Sequence, residues 1–149
     1  MEIRDACEQD VESIALLERE CFSMPWTPDQ LRIQLRPGHV FLAACEGGEV
    51  LGYVGMEYVL DEGYISNVAV APRSRGRGIA GALLRELEAR ARALGLAFLT
   101  LEVRESNRPA RALYTNSRYT VVGRRRNYYQ NPREDAILMT LEFSGDERA

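Results

Sequence analysis

The chain of 149 residues contains no lysine, one histidine (His39) and three cysteines, at positions 7, 21 and 45. Each shortage closes off a class of function. With no C-x-x-C spacing and a single imidazole there is no set of soft ligands for zinc, so the cysteines read as plain buried thiols and neither a metal site nor a disulfide is expected. No apolar run approaches the roughly 20 residues that a membrane span needs. The opening MEIRDACEQD is acidic, unlike a secretory leader, so the expected setting is cytoplasmic, away from membranes. The formal net charge is -3, and the 19 basic residues, all arginine, are interleaved with acids. A duplex-binding face needs a basic stripe, so direct contact with nucleic acid is not expected. The most basic run, Arg124 to Arg126, reads as a solvated strand face with at most a minor ligand role.

Nothing repeats, and no Pro/Gly/Ser-rich linker divides the chain. Its length suits one core, so residues 1–143 are expected to form a single domain, followed by a polar tail over 144–149. A short strand near Ile3 precedes a helix over 8–21, whose Val11, Ile14, Leu17 and Cys21 recur at helical spacing. The loop FSMPWT then leads, through Pro28, into a helix over 28–36. Residues 39–45 and 50–59 form two strands joined at Gly47-Gly48, and a third strand covers 63–71. After Pro72 the hydrophobic period changes from 2 to 3.6. Ile79, Leu83, Leu84, Leu87, Ala91 and Leu94 line one stripe of a long helix closed by Gly95. The continuous apolar strand over 96–103 is expected to be buried on both faces. Asn107 caps a short helix through Leu113 and Tyr114, and strands over 119–129 and 136–143 finish the chain. The strand-helix-strand unit over 63–103 requires a parallel strand pair, so the fold class is α/β with a mixed sheet.

The informative segment is NVAVAPRSRGRGIAGALL, where small residues lie between a strand end and a helix start. Unpaired backbone N–H groups and the positive helix dipole there suit an anionic phosphate. Gly76, Gly78, Ala80 and Gly81 keep side chains out of the way, and Arg73, Arg75 and Arg77 add positive charge. Gly76, Gly78 and Gly81 spell the dinucleotide fingerprint G-x-G-x-x-G, with Glu102 near the spacing of its ribose-binding acid. Position argues against that assignment, because a Rossmann fingerprint follows the first strand, and several strands and two helices come before this one.

The same residues, Arg75 through Ala80, also spell R-x-x-G-x-A. At this loop the chain resembles the GNAT N-acetyltransferase superfamily, and four further segments are similar to its RimI-like, ribosomal-protein-alanine branch: FSMPWT, DEGYISNVAV, LEVRESNRPARALY and RRNYYQNPREDAILM. The resemblance spans residues 22–139. It implies a mostly antiparallel sheet with one parallel pair splayed at the coenzyme site, about four helices, and acetyl-coenzyme A as cosubstrate. It also implies transfer of the acetyl group to the N-terminal α-amine of a protein, with an N-terminal alanine of a small-subunit ribosomal protein as acceptor. The other readings left open are a lysine or small-molecule acetyltransferase and a non-catalytic coenzyme- or dinucleotide-binding module.

The resemblance also implies roles for named residues. Glu102 matches the general base; the alternative is a rim carboxylate paired with Arg104 or Arg108. Tyr114, two helical turns after Asn107, matches the proton donor to the coenzyme thiolate, or else it fills the core. Asn107 matches a coenzyme contact and is also a helix cap. Val68, Ala69 and Val70 are expected to present backbone groups to the pantetheine arm, and Arg75, Gly76, Arg77, Gly78, Ile79, Ala80 and Gly81 to hold the phosphates. Trp26, Tyr128, Tyr129 and Glu134 are the expected substrate contacts, and Glu20, Glu102, Glu134 and Asp135 the acids able to attract a basic peptide. After Tyr114 the sequence SRYT puts Arg118 where the branch has a helix-ending glycine, so Arg118 must turn left-handed or the turn is rebuilt. An α-amine titrates near ~7.7 to 8.0 against ~10.4 for lysine, a difference of about 3.5 kcal/mol in deprotonation, which permits an N-terminal acceptor, while the choice of alanine rests on the resemblance.

Overall fold

Changes of hydrophobic period along the chain coincide with the boundaries of its elements. A computed structural model describes residues 1–143; the polar tail expected over 144–149 lies outside the described residues. In chain order the elements are β1 (Glu2–Asp5), α1 (Val11–Cys21), α2 (Pro28–Ile33), β2 (His39–Glu46), β3 (Glu49–Val59), β4 (Glu62–Val70), α3 (Ile79–Ala93), β5 (Phe98–Arg104), α4 (Arg108–Asn116), β6 (Thr120–Tyr129) and β7 (Glu134–Glu142). The strands form one sheet in the order β1-β2-β3-β4-β5-β7-β6. All neighbours are antiparallel except β4 and β5, as the strand-helix-strand unit requires.

The two faces of the sheet are covered unequally. On one face α3 lays Ile79, Leu83, Leu84, Leu87 and Ala91 against Val40, Leu42, Leu51 and Val54, and this core continues under β5 and β7 through Leu99, Leu101 and Met139. Each leucine buried this way contributes about 1.5 to 3 kcal/mol. On the other face α1 and α2 cover only the first half of the sheet, packing Val11, Ile14, Ala15 and Leu31 on Phe41, Ala43, Tyr53 and Ala69. That asymmetry corrects the expectation for β5. Its Leu99, Leu101 and Val103 are buried, but Phe98, Thr100, Glu102 and Arg104 alternate with them at intermediate exposure, because among the described residues no helix reaches that half of the second face.

Three further expectations change. The first helix begins as a 3₁₀ turn over Glu8–Asp10, with Cys7 at its N-cap and the Asp10 carboxylate accepting from the Cys7 N–H at 2.8 Å. The second helix ends at Ile33, three residues early, before the left-handed Gly38. Of the cysteines only Cys45 is buried; Cys7 sits at the exposed 3₁₀ start and Cys21 at the open end of α1. Arg118 does turn left-handed, with φ 75°. The strain, roughly 1 to 2 kcal/mol, is offset where its guanidinium pairs with Glu88 and where the following Tyr119 N–H donates to Tyr114 C=O at 2.9 Å.

The site is set by where β4 and β5 part. They pair only over Glu62, Gly63 and Tyr64, opposite Phe98, Leu99 and Thr100. At Gly63 they are pressed together: a Cβ there would stand 2.6 Å from Leu99 Cδ2. Beyond that point β4 stays with β3 as far as Val70, and β5 stays with β7 as far as Arg104. The register slips between Gly55 and Met56, leaving Ser66 as an extra residue on β4, and such a bulge bends and twists its strand. The strands splay, and a gap opens in the sheet.

Candidate active site

Two clefts fill the gap, each of about 600 Å³. One lies toward α3 and the glycine loop and the other toward Trp26 and the β6–β7 hairpin. They meet on six shared residues: Cys21, Phe22, Val68, Asn107, Ala110 and Tyr114.

The glycine-loop cleft is built mostly from backbone. Ala71 and Pro72 lead from β4 into a 3₁₀ turn, and Gly76 and Gly78 follow with φ of 82° and 77°. A Cβ at either glycine would meet nothing within 4 Å, so it is the left-handed backbone, not crowding, that calls for glycine there. The Ala82 N–H closes the first turn of α3 onto Gly78 C=O at 3.0 Å, which leaves the amides of Ile79, Ala80 and Gly81 ahead of the helix ladder. Val68, Ala69, Val70, Arg75, Gly76, Gly78, Ile79, Ala80, Gly81 and Asn107, ten of the eleven coenzyme contacts expected from the sequence, line this cleft. Arg77 does not: its guanidinium is 2.8 Å from Glu46, whose carboxyl it holds below the ordinary glutamate range. Arg73 is likewise tied to Glu49. Arg75 alone of the three faces the cleft, steadied by Val70 C=O (3.3 Å) and Cys21 Sγ (3.5 Å). Asn107 serves as cap and wall together, its Oδ1 accepting from the Ala110 N–H at 3.2 Å.

The second cleft is built from side chains on distant elements. Glu102 projects from the uncovered face of β5 and Tyr114 from the inner face of α4, and both line it. Glu102 does pair with an arginine, but that partner is Arg125 on β6, Nε to Oε1 at 3.4 Å. Arg104 is committed elsewhere: it reaches Glu134 (3.2 Å) and lies 4.5 Å over the Tyr129 ring. Burial pushes the Tyr114 hydroxyl up to about 12, so it keeps its proton at any working pH.

Trp26, Tyr128 and Tyr129 line the same cleft, the tyrosines edge to face with ring centroids 5.0 Å apart. The FSMPWT loop and the hairpin touch above it, Ser23 Oγ donating to Asn131 C=O at 3.1 Å. The expected acids divide sharply. Glu134 does not line the cleft, because its carboxylate accepts from the Ser106 N–H (2.6 Å) and from Arg104. Asp135 is bound to Arg124 (2.9 Å) and to the Asn127 N–H (2.9 Å), and Glu20 lies 3.8 Å from Arg73. Of the four, only Glu102 faces the cleft. The run Arg124 to Arg126 is exposed on β6, as expected of a solvated strand, but Arg124 and Arg125 are used in ion pairs.

One cleft residue escaped the sequence reading. Glu18 of α1 is fully buried on the cleft floor. Its Oε1 accepts from the Tyr53 hydroxyl and from Asn67 Nδ2 (2.8 Å), and its Oε2 from the Trp26 N–H (3.1 Å). Burial pushes its carboxyl up, while the Trp26 and Asn67 donors favour the anion. The signal was there to be read: Glu18 continues the Val11, Ile14, Ala15 stripe at helical spacing, a carboxylate where an apolar side chain belongs.

Among the described residues no group of three or more His, Cys, Asp and Glu is placed to hold a metal ion, and no helix is long and apolar enough to cross a membrane. Residues 10–117 match the acetyltransferase (GNAT) family. The [ribosomal protein bS18]-alanine N-acetyltransferase of Haemophilus influenzae is 33% identical over 138 residues, covering 91% of this chain and 92% of that protein. The N-alpha-acetyltransferase RimI of Mycobacterium tuberculosis is 36% identical over 144 residues, covering 92% of this chain and 89% of its own. The crystal structure of the ribosomal-protein-S18-alanine N-acetyltransferase from Escherichia coli superposes with a TM-score of 0.89 at 30% identity, over 97% of this chain and 96% of that one. The likeness runs nearly end to end, through the splayed strand pair and the glycine loop alike, and the chain belongs to the acetyltransferase (GNAT) family, in its RimI-like branch.

Proposed function

We propose that this acetyltransferase carries the acetyl group of acetyl-coenzyme A to the N-terminal α-amine of a protein, the acceptor being the N-terminal alanine of a small-subunit ribosomal protein. The observation that carries the reading is the meeting of the two clefts at Val68 and Tyr114, with Glu102 on the acceptor side only. The glycine-loop cleft suits the coenzyme: free amides at the start of α3, open space at Gly76 and Gly78, and one arginine facing in.

Acetyl transfer from a thioester to an amine needs a neutral amine, a polarised carbonyl and a proton for the departing thiolate. Glu102 takes the amine proton, directly or through one water. The backbone N–H groups of β4 around Val68, turned into the gap by the bulge at Ser66, are donors for the carbonyl oxygen. Tyr114, still protonated, supplies the proton to the thiolate. Transfer is direct, within a ternary complex, because no cysteine here has a histidine beside it to become a covalent carrier, and holding both reactants together supplies several kcal/mol.

Trp26, Tyr128 and Tyr129 form flat walls for the first residues of the acceptor. With Glu20, Glu134 and Asp135 tied up by arginines, attraction of a basic segment falls to Glu102 and weakens with salt. The lack of lysine leaves the enzyme no ε-amine of its own to modify. Incubation with acetyl-coenzyme A and a peptide that begins with alanine followed by basic residues should release free thiol, with mass spectrometry placing the acetyl group on the α-amine. Intact coenzyme binding without thiol release, or an acetyl group found only on lysine, would overturn the reading.

A further inference from the structure

Glu18 is a buried carboxylate that no step of acyl transfer uses, and its two oxygens point to different parts of the site. Oε1 holds Asn67, which lines the acceptor-side cleft between the Ser66 bulge and Val68, the point where β4 passes into the coenzyme-side cleft. Oε2 holds the backbone N–H of Trp26, in the loop that walls the acceptor side. The Tyr53 hydroxyl braces the carboxylate from β3. Asn67 Nδ2 and the Trp26 N–H are donors and the Tyr53 hydroxyl can act as one, so an acceptor-only carboxylate satisfies all three at once. An apolar residue would pack α1 as well, since the neighbouring stripe positions are Val11, Ile14 and Ala15, each fully buried. A buried carboxylate carries a desolvation cost, and what it provides in return is fixed geometry at the two clefts.

We propose that Glu18 is a positioning residue for acyl transfer, one oxygen fixing the donor strand through Asn67 and the other fixing the acceptor loop through Trp26. The inference rests on the function proposed above for its kinetic consequences, and on geometry alone for its structural ones. The donor link can be cut alone, and both links can be cut together. Glu18→Leu replaces the carboxylate with an apolar side chain suited to the α1 stripe and removes both links. Asn67→Ala removes the donor link and leaves Trp26 held. Tyr53→Phe removes the brace and neither link.

The expected result is a split. Glu18→Leu raises the KM for the alanine peptide about tenfold and lowers kcat about tenfold, whereas Asn67→Ala lowers kcat about tenfold with the peptide KM within about twofold. Tyr53→Phe lowers the melting temperature and leaves both constants within about twofold. Coenzyme affinity, read by thermal shift, is unchanged in all three. Amide hydrogen exchange reads the same links without a substrate: the Trp26 amide exchanges at least about tenfold faster in Glu18→Leu but not in Asn67→Ala. If Glu18→Leu does not fold, Asn67→Ala still decides, because a merely structural role predicts kcat unchanged there. Unchanged constants in both variants, or equal losses in all three, overturn the positioning role. If the wild type fails to turn over the alanine peptide, the substrate reading falls by itself, and an unchanged Trp26 exchange rate in Glu18→Leu is then the result that overturns the role of Glu18.

Discussion

The two clefts are matched in volume and opposite in construction. The coenzyme-side cleft comes mainly from one continuous stretch, β4 through the start of α3, with residues 107–114 as its far wall and Cys21 and Phe22 at its border with the other cleft. Its chemistry lies largely in backbone amides, and side chains matter chiefly by being absent. The acceptor-side cleft gathers α1, the FSMPWT loop, β5, α4 and the β6–β7 hairpin, and its chemistry lies in side chains. A backbone site tolerates change in what surrounds it but not in its own conformation. A side-chain site is sensitive to every partner that orients or neutralises a group, and here arginines have claimed three of its four expected acids.

Substitutions should separate the two clefts cleanly, and the largest effect should come where chemistry is concentrated in one atom group. Glu102→Gln should lower kcat by about 10² to 10⁴ while leaving coenzyme affinity unchanged, since it removes a proton acceptor and no coenzyme contact. Steady-state kinetics with the alanine peptide, beside a coenzyme thermal shift, checks both halves; a parallel loss of coenzyme binding would mean the clefts are not independent. Tyr114→Phe lies on the shared boundary and should cost about 10- to 100-fold in kcat. Because burial raises the tyrosine, the group stays protonated until pH approaches 12. The wild-type pH–rate profile should therefore show no alkaline fall from Tyr114 below about pH 11. A fall near 9 that vanishes in the phenylalanine variant would contradict this.

Gly78→Val tests the backbone side. A β-branched residue at φ 77° is strained. Coenzyme affinity should drop by about tenfold or more while the peptide KM, measured at saturating coenzyme, changes little. Trp26→Ala should do the reverse on a smaller scale, raising the peptide KM by roughly three- to tenfold through loss of a rigid wall. The smallest effect is expected from Arg77→Ala. Its guanidinium is paired with Glu46 and does not line the coenzyme-side cleft, so coenzyme affinity should stay within about twofold, as for most exposed ion pairs. A tenfold loss would restore Arg77 to the phosphate site expected from the sequence.

The same contrast explains what could be read early. The phosphate loop was legible because every element of it is local: the switch of period after Pro72, glycines two residues apart, and a helix whose stripe begins at Ile79. Glu102 and Tyr114 were legible by resemblance and by position, a carboxylate in an apolar strand and a tyrosine two turns beyond a cap. Glu134, Asp135 and Glu20 were misjudged because their partners, Arg104, Arg124 and Arg73, lie 30, 11 and 53 positions away in sequence. Glu18 was passed over because a lone acid in a helical stripe has no meaning until Tyr53, Asn67 and Trp26 are seen to converge on it.

The two residues on which the chemistry is proposed to turn were picked out by resemblance to the family; the sequence by itself determined the order of elements, the parallel strand pair and the glycine loop at the head of α3. These follow from short-range rules, namely side-chain period, backbone freedom at glycine and helix capping, which act over a few residues. Tertiary structure alone decided how far β4 and β5 stay paired before they part, that one face of β5 is left uncovered, which acids remain free, and that Ser23 and Asn131, 108 residues apart, close the acceptor cleft. Those outcomes depend on which charges and surfaces meet, and a charge is spent or left available only when its partner arrives from another part of the chain.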